Sequence, residues 1–247
     1  MFELTPWDWA GVLAASALIG MTKTGIPGMG ILGIILLANV VPPRESTGLV
    51  LPVLIIGDIF AVTYYRRHAV WKHLLPLLPW AVVGIVPGYF LLKALNNQQF
   101  GPVIGTVVLV LLVVRRVQMR FSKEPPAFVQ TRLFAGIVGV LAGVVTMLAN
   151  AAGPIMVVYL LAMRLPKKEF VGTGAWYYLI VNCLKIPFSA QLGFIHPGSL
   201  KVNLVMVPMV LLGALVGVLI LKRLPQKAFE WMAELLAAAA AVKLLVG

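Results

Sequence analysis

The chain is poor in charge, and poorest in negative charge. Of its 247 residues only 11% are charged, 8 of them acidic against 20 basic, where an ordinary soluble domain carries about 25%. Hydrophobic residues make up 61% and the mean hydropathy is +0.98. Too few polar groups are present to cover a folded surface in water, which excludes the soluble globular classes and predicts an integral membrane protein. Cysteine is nearly missing. The single Cys183 excludes an internal disulfide and a multi-cysteine metal centre, and its apolar surroundings predict a small buried residue. Histidine is almost as rare: His68 and His73 share a basic loop and His196 sits in the turn "IHPGS", without metal-ligand spacing, so no metal site is expected. No G-x-x-x-x-G-K-[ST] loop occurs, which removes ATP-driven pumping by this chain, and no cofactor is expected.

Strand-like alternation is also lacking, which argues against a barrel. Present instead are apolar segments at residues 48–65, 74–95, 103–117, 171–195 and 200–221, each sufficient to cross a bilayer as a helix. The formal net charge of +12 lies almost wholly between these segments, where orientation signals belong. The expected partners of the basic loops are therefore lipid headgroups of the bilayer and not nucleic acid. Residues 1–9 hold Glu3 and Asp8 but no basic residue, unlike the start of a cleavable signal peptide, so the first helix is expected to be retained. Trp7, Trp9, Trp71, Trp80 and Trp231 fall near predicted span ends and read as interfacial anchors.

Aligned against itself, the sequence repeats. A shift of 124 places Gly30, Pro42, Glu45, Gly48 and Asp58 on Pro154, Pro166, Glu169, Gly172 and Asn182. A shift of 129 places Lys72, Pro79, Gly84, Gly88, Lys93 and Phe100 on Lys201, Pro208, Gly213, Gly217, Lys222 and Phe229. One membrane transport domain spanning 1–247 is expected, built from repeat halves 1–120 and 128–247. The polar, basic "RRVQMRFSKEPPAF" joins them.

Each half opens with an overlong segment holding helix breakers: "TKTGIPG" at residues 22–28 and "NAAGP" at 150–154. Residues 131–163, as one straight helix, would measure roughly 50 Å against a hydrocarbon core of about 30 Å. Basic residues decide between folding back and a single crossing. Fold-back gathers the basic residues of 66–72, 115–123, 164–168 and 222–227, with Arg132, on one side, and leaves Arg44, Lys93, Lys201 and Lys243 on the other. The expected fold is thus an all-α polytopic membrane protein of two homologous halves, each a broken helical hairpin plus three transmembrane helices, arranged as inverted repeats with both termini outside. Eight single-pass helices in 4+4 parallel repeats are the alternative.

Breaks inside a membrane expose backbone donors at helix N-termini, which attract anions. Gly28, Gly30 and Gly33 match a dinucleotide fingerprint, but no strand precedes them. Candidate anion ligands are Thr22, Lys23, Thr24, Gly25, Gly28 and Gly30 in the first break and Asn150, Ala151 and Gly153 in the second, with Asn182 and Lys185. Small residues that only pack helices are the competing reading of the glycines. Lys23 argues against it, because an unused cation at that depth is costly. Asp58 is the only acidic residue well inside an apolar span. It reads either as a coupling-ion site, for a proton or sodium, or as a neutraliser of Lys23 or Lys185. Lys185 lines an anion path or snorkels, and "WYYL" at 176–179 packs or walls the substrate cavity, packing being the expectation.

The glycine-bearing first break, the "VPPRESTG" turn, the "RRHAVWKHLLPL" loop and a second half repeating the plan together resemble the TauE/SafE sulfite exporter family, also called the toluene sulfonyl uptake permeases, over nearly the whole chain. The resemblance implies a bacterial inner-membrane carrier of sulfite, sulfonates, sulfoacetate or related anions, with the two breaks contributing the anion site. Many relatives carry denser glycine in the first break than "KTGIPGMG", and "NAAGP" is likewise not glycine-rich, which bears on the substrate. The expected function is secondary transport of a small sulfur-containing anion by alternating access. A carrier of another small anion is the alternative. An intramembrane enzyme would need a nucleophile and base at depth, where only Asp58 is available, and a scaffold would need neither Lys23 nor paired breaks. Assembly as a homodimer is left open by the sequence.

Overall fold

The computed structural model describes residues 5–40, 43–94, 106, 108–110, 112–113 and 127–246. The expected span 103–117, the linker, the basic residues of 115–123 and Pro42 lie wholly or mostly outside these residues, as do the side chains of Arg44 and Glu45. The described residues are helical and contain no strand. In chain order the helices are α1 Pro6–Thr24, α2 Gly30–Val40, α3 Pro43–Tyr65, the short α4 Trp71–Leu74 and α5 Leu78–Ala94, then α6 Arg132–Ala149, α7 Gly153–Ala162, α8 Lys167–Gln191, α9 Pro197–Arg223 and α10 Gln226–Val246.

Local chemistry starts these helices where the sequence permits. Thr5 and Asp8 form a capping box on α1, the Thr131 hydroxyl accepts from Phe134 N–H to cap α6, and the His196 ring accepts from Ser199 N–H to cap α9. Helices α3, α5, α8 and α9 each continue through an internal proline, tolerable where neighbouring helices and side chains re-satisfy the freed carbonyl. Among the described residues, four stretches are long and apolar enough to cross a bilayer: Leu49–His68, Trp71–Lys93, Arg132–Ala149 and Pro197–Arg223. Helix α8 is as long but less apolar, because Thr173, Asn182, Lys185 and Ser189 turn inward and are buried.

Both opening segments fold back. Helix α2 returns along α1: a side-chain atom at Gly30 would meet Thr22, one at Gly33 would meet Ile19 and Leu18, and one at Gly11 would meet Val40 and Leu36. The second segment turns at Asn150, whose φ of 52° is the left-handed conformation that ends a helix. Phe134 near the start of α6 then stacks on Tyr159 near the end of α7, ring centres 5.9 Å apart. One unbroken helix would hold those residues about 37 Å apart.

The opening helices pack on partners from the far part of the chain. Helix α1 lies along α9 and α6 along α5, and glycines permit the close approach at both crossings. A Cβ at Gly213 would strike the Ala17 carbonyl, and one at Gly84 would strike the Val140 carbonyl. Helix α3 packs between α8 and α9. Buried Leu77, Ile85, Met147, Ile155 and Tyr177 belong to one core cluster, and Val12, Ile19, Leu37, Met206 and Val210 to another. Outward faces remain apolar, with Phe90, Leu133, Leu204 and Leu219 exposed, as a lipid-facing surface requires.

One end of the bundle collects basic residues. Val70 N–H donates to the Thr173 hydroxyl at 2.9 Å, and Tyr159 O–H donates to the His73 carbonyl at 2.8 Å. The Lys167 ammonium donates to the carbonyls of Leu221 and Leu224 at the end of α9. These bonds bring Arg66, Arg67, Lys72, Arg164, Lys167, Lys168, Lys222 and Arg223 to the same end, opposite Lys93 and Lys201. Cys183, expected to be buried, is exposed on the outer face of α8, because the neighbouring positions 181, 182 and 185 take the inward stripe.

Candidate functional site

The two breaks meet in the interior. A cavity of about 90 Å³ between them is lined by Thr22, Lys23, Pro27, Gly28 and Gly30 from the first and by Thr146, Asn150, Ala151, Gly153 and Pro154 from the second. Leu54 of α3, Val157 and Leu160 of α7, and Phe170, Val171, Gly174, Ala175, Tyr178 and Asn182 of α8 complete the wall. At 1.5 Å per residue Asn182 lies about 13 Å along α8 from Thr173, which is bonded to the basic end, so the site sits near mid-depth of a bilayer about 30 Å thick.

A buried chain of polar groups runs beside this cavity. Lys23 Nζ is 2.7 Å from Asp58 Oδ1, and Asn182 Nδ2 donates to Asp58 Oδ2 at 2.7 Å. The ammonium of Lys185 donates to Thr146 Oγ1 at 3.1 Å, Asn150 Oδ1 at 2.5 Å and, more weakly, Asn182 Oδ1 at 3.4 Å. Asn182 is therefore oriented from both sides: its oxygen faces a cation and its N–H faces a carboxylate. Lys23 also lies 4.6 Å from the centre of the Tyr178 ring, a cation–π contact that strengthens where water is excluded. Lys23, Asp58 and Lys185 are 7%, 0% and 1% exposed and are the charged side chains buried among the described residues. The network thus holds two basic side chains and one acidic one.

The breaks are closed in different ways. In the first, Thr22 Oγ1 accepts from Gly30 N–H at 2.6 Å and donates to the Ile26 carbonyl at 3.0 Å, which caps the start of α2 with the chain's own hydroxyl. Gly28 there has φ +97°, and any side chain on it would collide with Leu236. In the second, no side chain caps α7, and its first residues face the cavity. Gly153 has nothing within 4 Å of where a Cβ would stand.

Of the residues expected from sequence, Thr22, Lys23, Gly28, Gly30, Asn150, Ala151, Gly153 and Asn182 line the cavity. Asp58 and Lys185 stand behind that lining, bonded to it through Lys23, Asn182, Thr146 and Asn150. Lys185 does not snorkel. Thr24 and Gly25 lie outside the cavity: the Thr24 hydroxyl donates to the Ala214 carbonyl at 2.6 Å, and Gly25 abuts Gly217. "WYYL" divides, since Tyr177 is fully buried in the core and Tyr178 reaches the cavity. Thr146 was not singled out from the sequence, although the shift of 124 that pairs Asp58 with Asn182 also pairs Thr22 with Thr146. The apolar wall carried no signal apart from general hydrophobicity.

Described residues that are helical, with an apolar exterior and a mostly apolar internal cavity bordered by buried charged side chains, define a polytopic membrane protein with an internal site. Residues 12–244 match the family described as Sulfite exporter TauE/SafE, and the chain belongs to that family. It is accordingly a membrane protein of a family that transports sulfur anions. No curated protein and no solved structure matches it.

Proposed function

We propose that this protein is a secondary transporter of a small sulfur-containing anion, such as sulfite, a sulfonate or sulfoacetate, working by alternating access around the cavity between the two breaks. The observation that carries this reading is the charge balance at the cavity: two buried lysines face a single buried carboxylate. A surplus buried cation is costly unless an anion joins it, and the uncapped start of α7 adds donors where that anion would sit. Thr146, Asn150 and Asn182 supply neutral hydrogen-bonding groups at the same wall.

Equivalent glycine crossings at α1–α9 and α5–α6, with both opening segments folded back, support two inverted halves within one transport domain. In that arrangement the basic end faces the cytoplasm of a bacterial inner membrane and both termini face outward. The volume of about 90 Å³ accommodates a small anion.

Thermal-shift measurements on purified protein with sulfite, sulfate, methanesulfonate and acetate test the reading. Only ligands that bind the folded state raise its melting temperature. Concentration-dependent stabilisation by sulfite or methanesulfonate and not by acetate is expected, and no stabilisation by any of the four would overturn it.

A further inference from the structure

Lys23 has two faces. Its side chain lines the cavity, yet its ammonium is committed to Asp58, which is fully buried and does not line the cavity. One ammonium therefore stands between the place an anion would occupy and the only carboxylate of the network. Resting on the anion-carrier reading above, we infer that Lys23 is a shared counter-charge: an anion seated in the cavity draws the ammonium away from Asp58, and Asp58 takes up one proton in the same step.

Lys23 is the cation in direct contact with Asp58, and Lys185 acts on it only across the Asn182 amide. Helix α1 contributes Lys23, and α2 carries no ionisable side chain. Helix α8 contributes Asn182, Lys185, Tyr178 and Cys183; α9 places apolar Val210 beside Gly57, the residue next to Asp58. Lys185 is held off by the Asn182 amide, whose oxygen faces Lys185 and whose N–H faces Asp58, and it is further tied to Thr146 and Asn150. Losing Lys23 leaves the buried carboxylate one amide donor and a more distant lysine, which favours its neutral form. The new O–H bond forms at Oδ1, the oxygen that Lys23 vacates, while Oδ2 continues to accept from Asn182. The proton comes from water and nothing is oxidised or reduced.

The same neighbours select a proton over a sodium ion. Hard cations are held by several oxygen ligands, whereas the two partners of the Asp58 carboxylate are N–H donors, Lys23 Nζ and Asn182 Nδ2. Anion and proton consequently bind together, and a monoanion crosses with no net charge.

Titration calorimetry on the purified protein in buffers of different ionisation enthalpy counts the protons taken up. Methanesulfonate is the probe, because its own charge does not change with pH as that of sulfite does. Wild type should take up close to one proton per anion at high pH, with Kd rising about tenfold per pH unit there, since linkage is reciprocal. Asp58→Asn should bind without proton uptake and without pH slope, and the Lys23→Met/Asp58→Asn pair, which removes both charges together, should take up none either. Wild-type binding with no proton uptake and a flat Kd overturns this inference and leaves the carrier reading intact. Should sulfite alone bind, the same count corrected for its own protonation decides. Binding of neither anion overturns the carrier reading itself, so the two failures are told apart.

Discussion

Asn182 Nδ2 lies 2.7 Å from Asp58 Oδ2, and the two residues are 124 positions apart, the offset at which the sequence aligns with itself. The contact joins α3 to α8, from opposite parts of the chain. At this offset the acidic Asp58 is matched by the neutral Asn182, and the two side chains meet. Two aspartates there would repel at hydrogen-bonding distance, and two asparagines would leave Lys23 without a counter-charge.

Lys23→Met keeps most of the apolar stem and removes the ammonium. Anion affinity should fall at least tenfold, about 1.4 kcal/mol, read by calorimetry with methanesulfonate on folded protein. Unchanged affinity would reduce Lys23 to a structural residue.

Stability should respond differently from affinity. Lys23→Met strands Asp58 in the interior, and breaking a buried pair by removing one partner costs roughly 3 to 5 kcal/mol. Adding Asp58→Asn should return most of the lost melting temperature while anion affinity stays low. If the double variant is no more stable than Lys23→Met alone, the pair does not act as a unit.

A methyl group at residue 153 would enter the cavity without touching the surrounding wall. Gly153→Ala should leave the melting temperature close to wild type, and one extra carbon in a small site should weaken anion binding about tenfold. Equal affinity in the two proteins would place the anion elsewhere.

Membrane sidedness follows from the fold-back of both opening segments. Single cysteines introduced as Arg44→Cys, Arg67→Cys and Lys167→Cys are expected to react with an impermeant reagent from opposite sides, 67 and 167 together and 44 apart from them. The background must lack Cys183, which is exposed. Labelling of 44 and 167 from one side would instead require single crossings.

The sequence by itself determined the class and the places where helices stop. Low charge content and repeated apolar runs leave a chain no stable state outside a bilayer, and proline with glycine at 25–30 and 150–154 marks where the two opening segments break. Thr22, Lys23, Asn150 and Asn182 were legible as site candidates because a polar residue in an apolar span has to be used. Only the tertiary structure decided which of them meet. Lys23 and Asp58 lie on different helices, and their pairing depends on how α1 and α3 are rotated against each other, as the reach of Lys185 to Asn150 depends on where α6 ends against α8. The division of the glycines was decided there too: Gly25 serves the crossing with α9 and Gly153 opens onto the cavity, because the same missing Cβ permits either close packing or empty space, and only the neighbour that arrives from elsewhere in the chain determines which.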